Sequence, residues 1–157
     1  MKIWWMALLV FVLPTSAGQA RGFGRVEQAT RRCRIERGDI KRSCNRLQIS
    51  DTGSDGLRIR FTGPGETPGS SHQLSFVALA REQPSPLRCE KGNCQLSGRR
   101  WTADIISIAW VEFDKRGLPR RLPTARTVRG TCRINDRLIN CESHRGQLID
   151  VSAEAQI

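Results

Sequence analysis

Cys132-Arg133-Ile134-Asn135-Asp136-Arg137-Leu138-Ile139-Asn140-Cys141 is the stretch on which the fold turns. An even number of residues separates its two cysteines, and Asp136-Arg137 falls at the midpoint. In an antiparallel ribbon folded about a two-residue loop, directly opposed residues have this parity. Cys33 and Cys44 repeat it around Gly38-Asp39, and Cys89 and Cys94 around Lys91-Gly92. Gly-X is a type II′ signal, and the other two midpoints are compatible with turns. With two-residue loops, Cys89/Cys94 and Cys132/Cys141 fall at non-hydrogen-bonded pairs and Cys33/Cys44 at a hydrogen-bonded pair. A disulfide can bridge the Cα separation of either kind. Nearest-neighbour disulfides are therefore expected. Six cysteines admit many other connectivities, and spacing alone does not exclude them. A zinc knuckle would need Cys-x-x-Cys, which is absent, so no metal site is expected. Nor does any motif call for a cofactor.

Working outward, the rest alternates between strand patterns and turn chemistry. Arg31–Arg37 and Ile40–Ile49 pair as the first clamped hairpin. Leu57, Ile59 and Phe61 alternate with Arg58 and Arg60, the period of a half-buried strand. Gly63 to Ser71 reads as a loop, with Ser70-Ser71-His72 placed in it. Gln73–Ala80 is a strand. Asp104–Phe113 is apolar at both parities, which predicts a central strand covered on both faces. Thr127–Ile134, Leu138–Glu142 and Gln147–Ala153 complete the strands, and only Gly24–Arg32 suits a short helix. A weak repeat of clamped hairpin, Gly-containing turn and apolar strand recurs around the three cysteine pairs, at spacings too uneven for a solenoid. A three-unit, trefoil-like barrel is a variant of this reading. The expectation is an all-β fold: a small disulfide-clamped antiparallel sandwich or barrel of about nine strands.

Residues 1–20 have the order of a secretory signal peptide. Lys2 gives a positive start, Ile3 to Leu13 is an unbroken apolar run, and Thr15 to Ala20 is rich in small residues. As a helix the run spans roughly 16 Å, about half a bilayer core, so it does not suit a membrane anchor. Cleavage after Ala20 leaves a single β-rich domain, 21–157, large enough for one core. The expected location is secreted or periplasmic, where disulfides persist, with no transmembrane segment once the leader is removed.

The chain of 157 residues has a net charge of +11, with 22 Arg against 4 Lys. Two stretches carry the excess. Lys115, Arg116, Arg120, Arg121, Arg126, Arg129 and Arg133 lie between Asp114 and Asp136 with no acid among them. Arg31 to Arg46 holds seven basic residues against Glu36 and Asp39. Guanidinium groups match phosphate, sulfate and carboxylate. The expected partner is therefore polyanionic: an anionic glycan, a lipid surface or an acidic protein. Nucleic acid is not expected, because no RNP or other stacking motif is present.

Asp51-Thr52-Gly53-Ser54, with Ile49-Ser50 before it and Asp55, Leu57 and Ile59 after, resembles the active-site loop of aspartic proteases. The resemblance covers about a dozen residues. It implies that Asp51 supplies one of two carboxylates sharing a proton. Gln48 departs from that family's apolar or small residue. No second such triplet exists, so two chains would have to combine. Arg37-Gly38-Asp39 resembles the integrin-recognition tripeptide, at the tip of a clamped hairpin. His72 and His144 have no partner at metal or triad spacing and read as solvated loop residues. The favoured function is a non-catalytic binding or structural module with a basic surface. The alternatives are a small secreted hydrolase using Asp51 and an inhibitor presenting a hairpin tip, 36–41 or 134–139, to a protein.

Overall fold

The computed structural model describes residues 24–53, 56–80, 83–90, 93–145 and 148–157. The leader assigned to 1–20 and the Lys91-Gly92 midpoint lie outside them. Twelve strands follow in order: β1 (Arg25–Ala29), β2 (Arg32–Arg37), β3 (Ile40–Ser43), β4 (Arg46–Asp51), β5 (Gly56–Pro64), β6 (Ser71–Leu79), β7 (Leu87–Glu90), β8 (Asn93–Leu96), β9 (Trp101–Phe113), β10 (Thr124–Asn135), β11 (Leu138–Arg145) and β12 (Leu148–Gln156). Ten form one antiparallel sheet, ordered β1-β4-β5-β6-β9-β10-β11-β12-β2-β3, while β7 and β8 pair separately. The fold is all-β, as the sequence predicts. The count exceeds nine because the first hairpin breaks into four strands.

That break closes the sheet. β1 and β2 are halves of one arm, and β3 and β4 are halves of the other. β2 pairs with β12 and β4 pairs with β5. At the bend, Arg31 N donates to Gln156 O, Thr30 N to Asn45 O, and Asn45 N to Thr62 O. Hydrogen bonding thus runs without a gap from β12 through the hairpin to β5. Counting each arm once, the barrel has eight staves in up-and-down order. Closure leaves few bare edges to pair with other chains. Ile40–Ile49 is therefore two strands, and Gly24–Arg32 is not a helix. Val26 packs inward opposite Ile49 while the rest of β1 is exposed, and that one anchor plus pairing with β4 outweighs local preference.

Cys33–Cys44, Cys89–Cys94 and Cys132–Cys141 are bridged as nearest neighbours. Their Cα separations are 4.9, 4.0 and 4.0 Å. Cys44 N donates to Cys33 O, which makes that pair the hydrogen-bonded one. Gly38 takes the positive φ its hairpin turn requires. Asp136 does the same at the β10–β11 turn without being glycine. The cysteine-centred repeat does not become a trefoil, since β7–β8 stands outside the main sheet.

Inside, Leu47, Ile49, Leu57, Ile59, Phe61, Leu74, Phe76, Ile134, Ile139 and Val151 fill the barrel, with Phe61 and Phe76 packed edge to face. Small inward residues on β9 and β12, Ala103, Ala153 and Ala155, share the interior with them. Asp104–Phe113 owes its two-sided apolar pattern partly to cover on both faces, which holds only near Val111, and partly to a change of inward parity. Along β9, Trp101, Ala103 and Ile105 point inward; the register then shifts on both neighbours, and Ile108 and Trp110 become the inward residues. A bulge thus switches the inward parity at Ile106. Beyond it, the 114–123 loop folds over the outer face. Arg120 N bonds Glu112 O and Pro119 bridges Phe113, beside Val111, which is buried on that outer face.

The barrel's two ends differ. One holds Gly24, the C-terminus, the β4–β5 and β10–β11 turns, and the β7–β8 hairpin. That hairpin packs against β1, with Gly24 against the Cys89–Cys94 bridge and Leu87, Pro86 and Trp101 buried beneath. The other end, the mouth, holds the β2–β3 and β5–β6 turns and the 114–123 loop. Among the described residues no helix is long and apolar enough to cross a membrane.

Candidate functional site

Side chains that point inward at the mouth are mostly polar, because the apolar filling stops at Leu74 and Ile108. Residues opposed across a ladder share a face. Arg37 opposes Val151, Arg42 opposes Ile35, Arg126 opposes Ile108, and Thr124 opposes Trp110, so all four face the lumen. Trp110 lies at their centre. The His72 ring stacks on it with centroids 5.3 Å apart. Two guanidinium groups also lie on it, Arg37 at 4.6 Å and Arg42 at 5.5 Å from the ring centroid. Cation–π contacts of this kind are worth about 0.5–2 kcal/mol each.

The arginines differ in their carboxylate partners. Arg42 bonds Glu112 at 3.2 Å and also reaches Glu66. Arg126 pairs with Asp150, which Arg145 approaches at 3.5 Å. No carboxylate lies within ion-pair distance of Arg37, Arg120 or Arg121 among the described residues. These three and Trp110 line one open cleft of about 750 Å³, with Glu112, Asp114 and Thr124 on its wall. A second cleft of about 380 Å³ continues from Arg37 and Trp110 to Arg126, Arg145 and Asp150. An anion entering here meets guanidinium groups that have no carboxylate partner among the described residues, Arg120 also reaching Thr67 Oγ1 at 3.5 Å, together with an aromatic face.

His72 is a correction. It is not a solvated loop residue but an inward residue of β6, 1% exposed. Gly63, opposite, makes the space: a Cβ there would stand 2.9 Å from the ring and run into the Ser43 carbonyl. Strand pairing extends through Pro64 and Ser71, so the expected Gly63 to Ser71 loop is shorter than its composition suggests. Burial and then the Arg42 charge push the His72 pKa below its ordinary 6.5; the Pro64 carbonyl, the Glu112 carboxylate and the Ser43 carbonyl oppose them. Those carbonyls approach without completing a well-formed hydrogen bond to either ring nitrogen. Burial against Trp110 therefore disfavours the charged imidazole. His144 is exposed on β11.

The basic stretch that the sequence groups together is divided by the fold. Lys115, Arg116, Arg120 and Arg121 stand exposed on the mouth loop. Asp114 sets the loop's shape. Its carboxylate accepts from Arg116 N at 2.8 Å and Leu118 N at 3.0 Å, which lowers its pKa. Arg126 faces the lumen. Arg129 and Arg133 are exposed on β10, Arg133 toward the plugged end opposite Thr102. In their place the mouth recruits Arg37, Arg42 and Arg145 from strands distant in sequence. Alternation places Arg37 and Arg42 on one hairpin face, but only closure brings that face to Trp110.

Asp51 ends β4 at the opposite end. Its carboxylate accepts from Gly53 N at 2.6 Å, an Asx-type turn. The adjoining cleft is lined by Gly53, Gly56, Leu57, Gln83, Pro84, Ser85 and Trp101, with no second acid among the described residues. In the Arg37-Gly38-Asp39 tripeptide, Asp39 is exposed while Arg37 turns inward over Trp110. No three His, Cys, Asp or Glu side chains gather as a metal site among the described residues. Comparison with known proteins found no matching family model, no matching curated protein and no matching solved structure.

Proposed function

We propose that the chain is an exported, non-catalytic binding module that receives phosphate- or sulfate-bearing ligands, such as anionic glycans or lipid head groups, at the barrel mouth. The observation that carries this reading is the convergence of Arg37, Arg120 and Arg121, all without carboxylate partners among the described residues, beside Trp110 in one cleft. Guanidinium forks bind phosphate and sulfate in bidentate fashion. Three disulfides support function outside the cytosol. The leader read over 1–20 supplies the route. Arg37 stands on the barrel wall, and the Asp114 carboxylate and the bond from Arg120 N to Glu112 O hold the loop that carries Arg120 and Arg121, so little backbone ordering is needed on binding.

The test is titration of the protein with a heparin-like oligosaccharide as salt is raised. Binding should weaken by about tenfold or more between about 50 and 200 mM salt. Arg37→Ala combined with Arg121→Ala should flatten that dependence. Undiminished binding by the double variant, or none by the wild type at low salt, contradicts the reading.

A further inference from the structure

Five large apolar side chains stand exposed among the described residues: Ile40, Ile106, Leu118, Leu122 and Leu138. Three of them, Ile40, Leu118 and Leu122, are at the mouth. Leu122 is 91% exposed, Leu118 52% and Ile40 45%. The two leucines are on the loop Asp114-Lys115-Arg116-Gly117-Leu118-Pro119-Arg120-Arg121-Leu122-Pro123, which is held in shape rather than loose. Asp114 caps its first turn, Asp114 N bonds Leu118 O, and Arg120 N bonds Glu112 O. Its prolines restrict φ at 119 and 123. The fold therefore fixes two leucines outward on a loop that also exposes Lys115, Arg116, Arg120 and Arg121; Arg116 pairs with Asp114 within the loop, and on the neighbouring hairpin Lys41 pairs with Glu36 beside the exposed Asp39.

Apolar side chains that protrude from a loop of net positive charge match one kind of surface. An anionic bilayer offers phosphate at the level of the cations and hydrocarbon a few ångströms below. A glycan offers the charge without the hydrocarbon. We propose that the barrel mouth docks on an anionic lipid bilayer. Leu122 and Leu118 enter the acyl boundary, Ile40 rests at the interface, and Lys115, Arg116, Arg120 and Arg121 contact head-group phosphates. This rests on the cationic-mouth reading above and names its ligand's source. The docked orientation stands the barrel axis across the membrane plane, with the β7–β8 plug directed away from it.

The test is sedimentation with phosphatidylglycerol-containing vesicles and with pure phosphatidylcholine vesicles, alongside the heparin titration, for wild type and for Leu118→Ser/Leu122→Ser. Both substituted residues are exposed, so the variant should keep the wild-type melting temperature. Wild type should bind the anionic vesicles and leave the neutral ones. The leucine variant should lose about tenfold or more of its vesicle partitioning, while heparin affinity changes by less than about threefold, because Leu122 lines the cleft but offers sulfate no donor. Vesicle binding that ignores the leucine substitutions overturns membrane docking, as does heparin binding with no vesicle binding. Binding to neither ligand overturns the cationic-mouth reading itself.

Discussion

Arg99-Arg100-Trp101 and Arg120-Arg121-Leu122 are the same sequence idea at opposite ends of the barrel: two exposed arginines followed by a large apolar residue. At the plugged end Trp101 starts β9, points inward, and is 3% exposed beside Leu87 and Pro86. At the mouth Leu122 precedes a strand by two residues, has no element above it, and is 91% exposed. The difference lies in what the chain supplies nearby. The β7–β8 hairpin, inserted between β6 and β9, covers one end, while the loop that joins β9 to β10 covers only the outer face. A basic pair beside an apolar residue therefore says nothing about function until closure decides which apolar residue has a roof.

Removing the apolar member should separate the two ends most strongly. Trp101→Ala should cost about 3–5 kcal/mol, read from chemical denaturation, whereas Leu122→Ala should stay within about 0.5 kcal/mol of wild type. Equal losses would mean that the mouth leucine is packed and the contrast false.

A smaller effect sharpens the picture of the mouth interior. His72 has its pKa lowered chiefly by burial, so below its ordinary 6.5 the unfolded chain takes a proton that the folded chain resists. Its contribution is intact above about pH 6.5 and is lost as pH falls toward the depressed folded value, at no more than about 1.4 kcal/mol per pH unit. His72→Phe should remove that acid-side slope, measured as melting temperature against pH. An unchanged slope would place its origin in the carboxylates.

Much of the wall was legible in the sequence. The odd spacing of each cysteine pair located three hairpins and their bridges, because cross-strand pairing has a fixed parity. The alternation in Leu57, Ile59 and Phe61 located β5. Closure was not legible, because it depends on a two-residue interruption at Thr30–Arg31, facing Cys44–Asn45, that carries no hydrophobic signal. Missing it hid the candidate site. Arg37, Arg42, His72 and Trp110 come from four strands, and no local pattern joins them. His72 was further disguised by the serines and prolines before it. The basic run from Lys115 to Arg133 was visible as charge, yet strand direction and the bulge near Arg129 divide it between mouth, lumen and outer wall.

The two arginine pairs permit the most direct measurement. Arg120→Ala/Arg121→Ala and Arg99→Ala/Arg100→Ala remove the same charge from opposite ends of the same barrel. Binding of each to a heparin-like oligosaccharide at low salt should fall about tenfold for the mouth pair and by less than about twofold for the other. Equal losses would show that net charge alone attracts the ligand and that the mouth is no site.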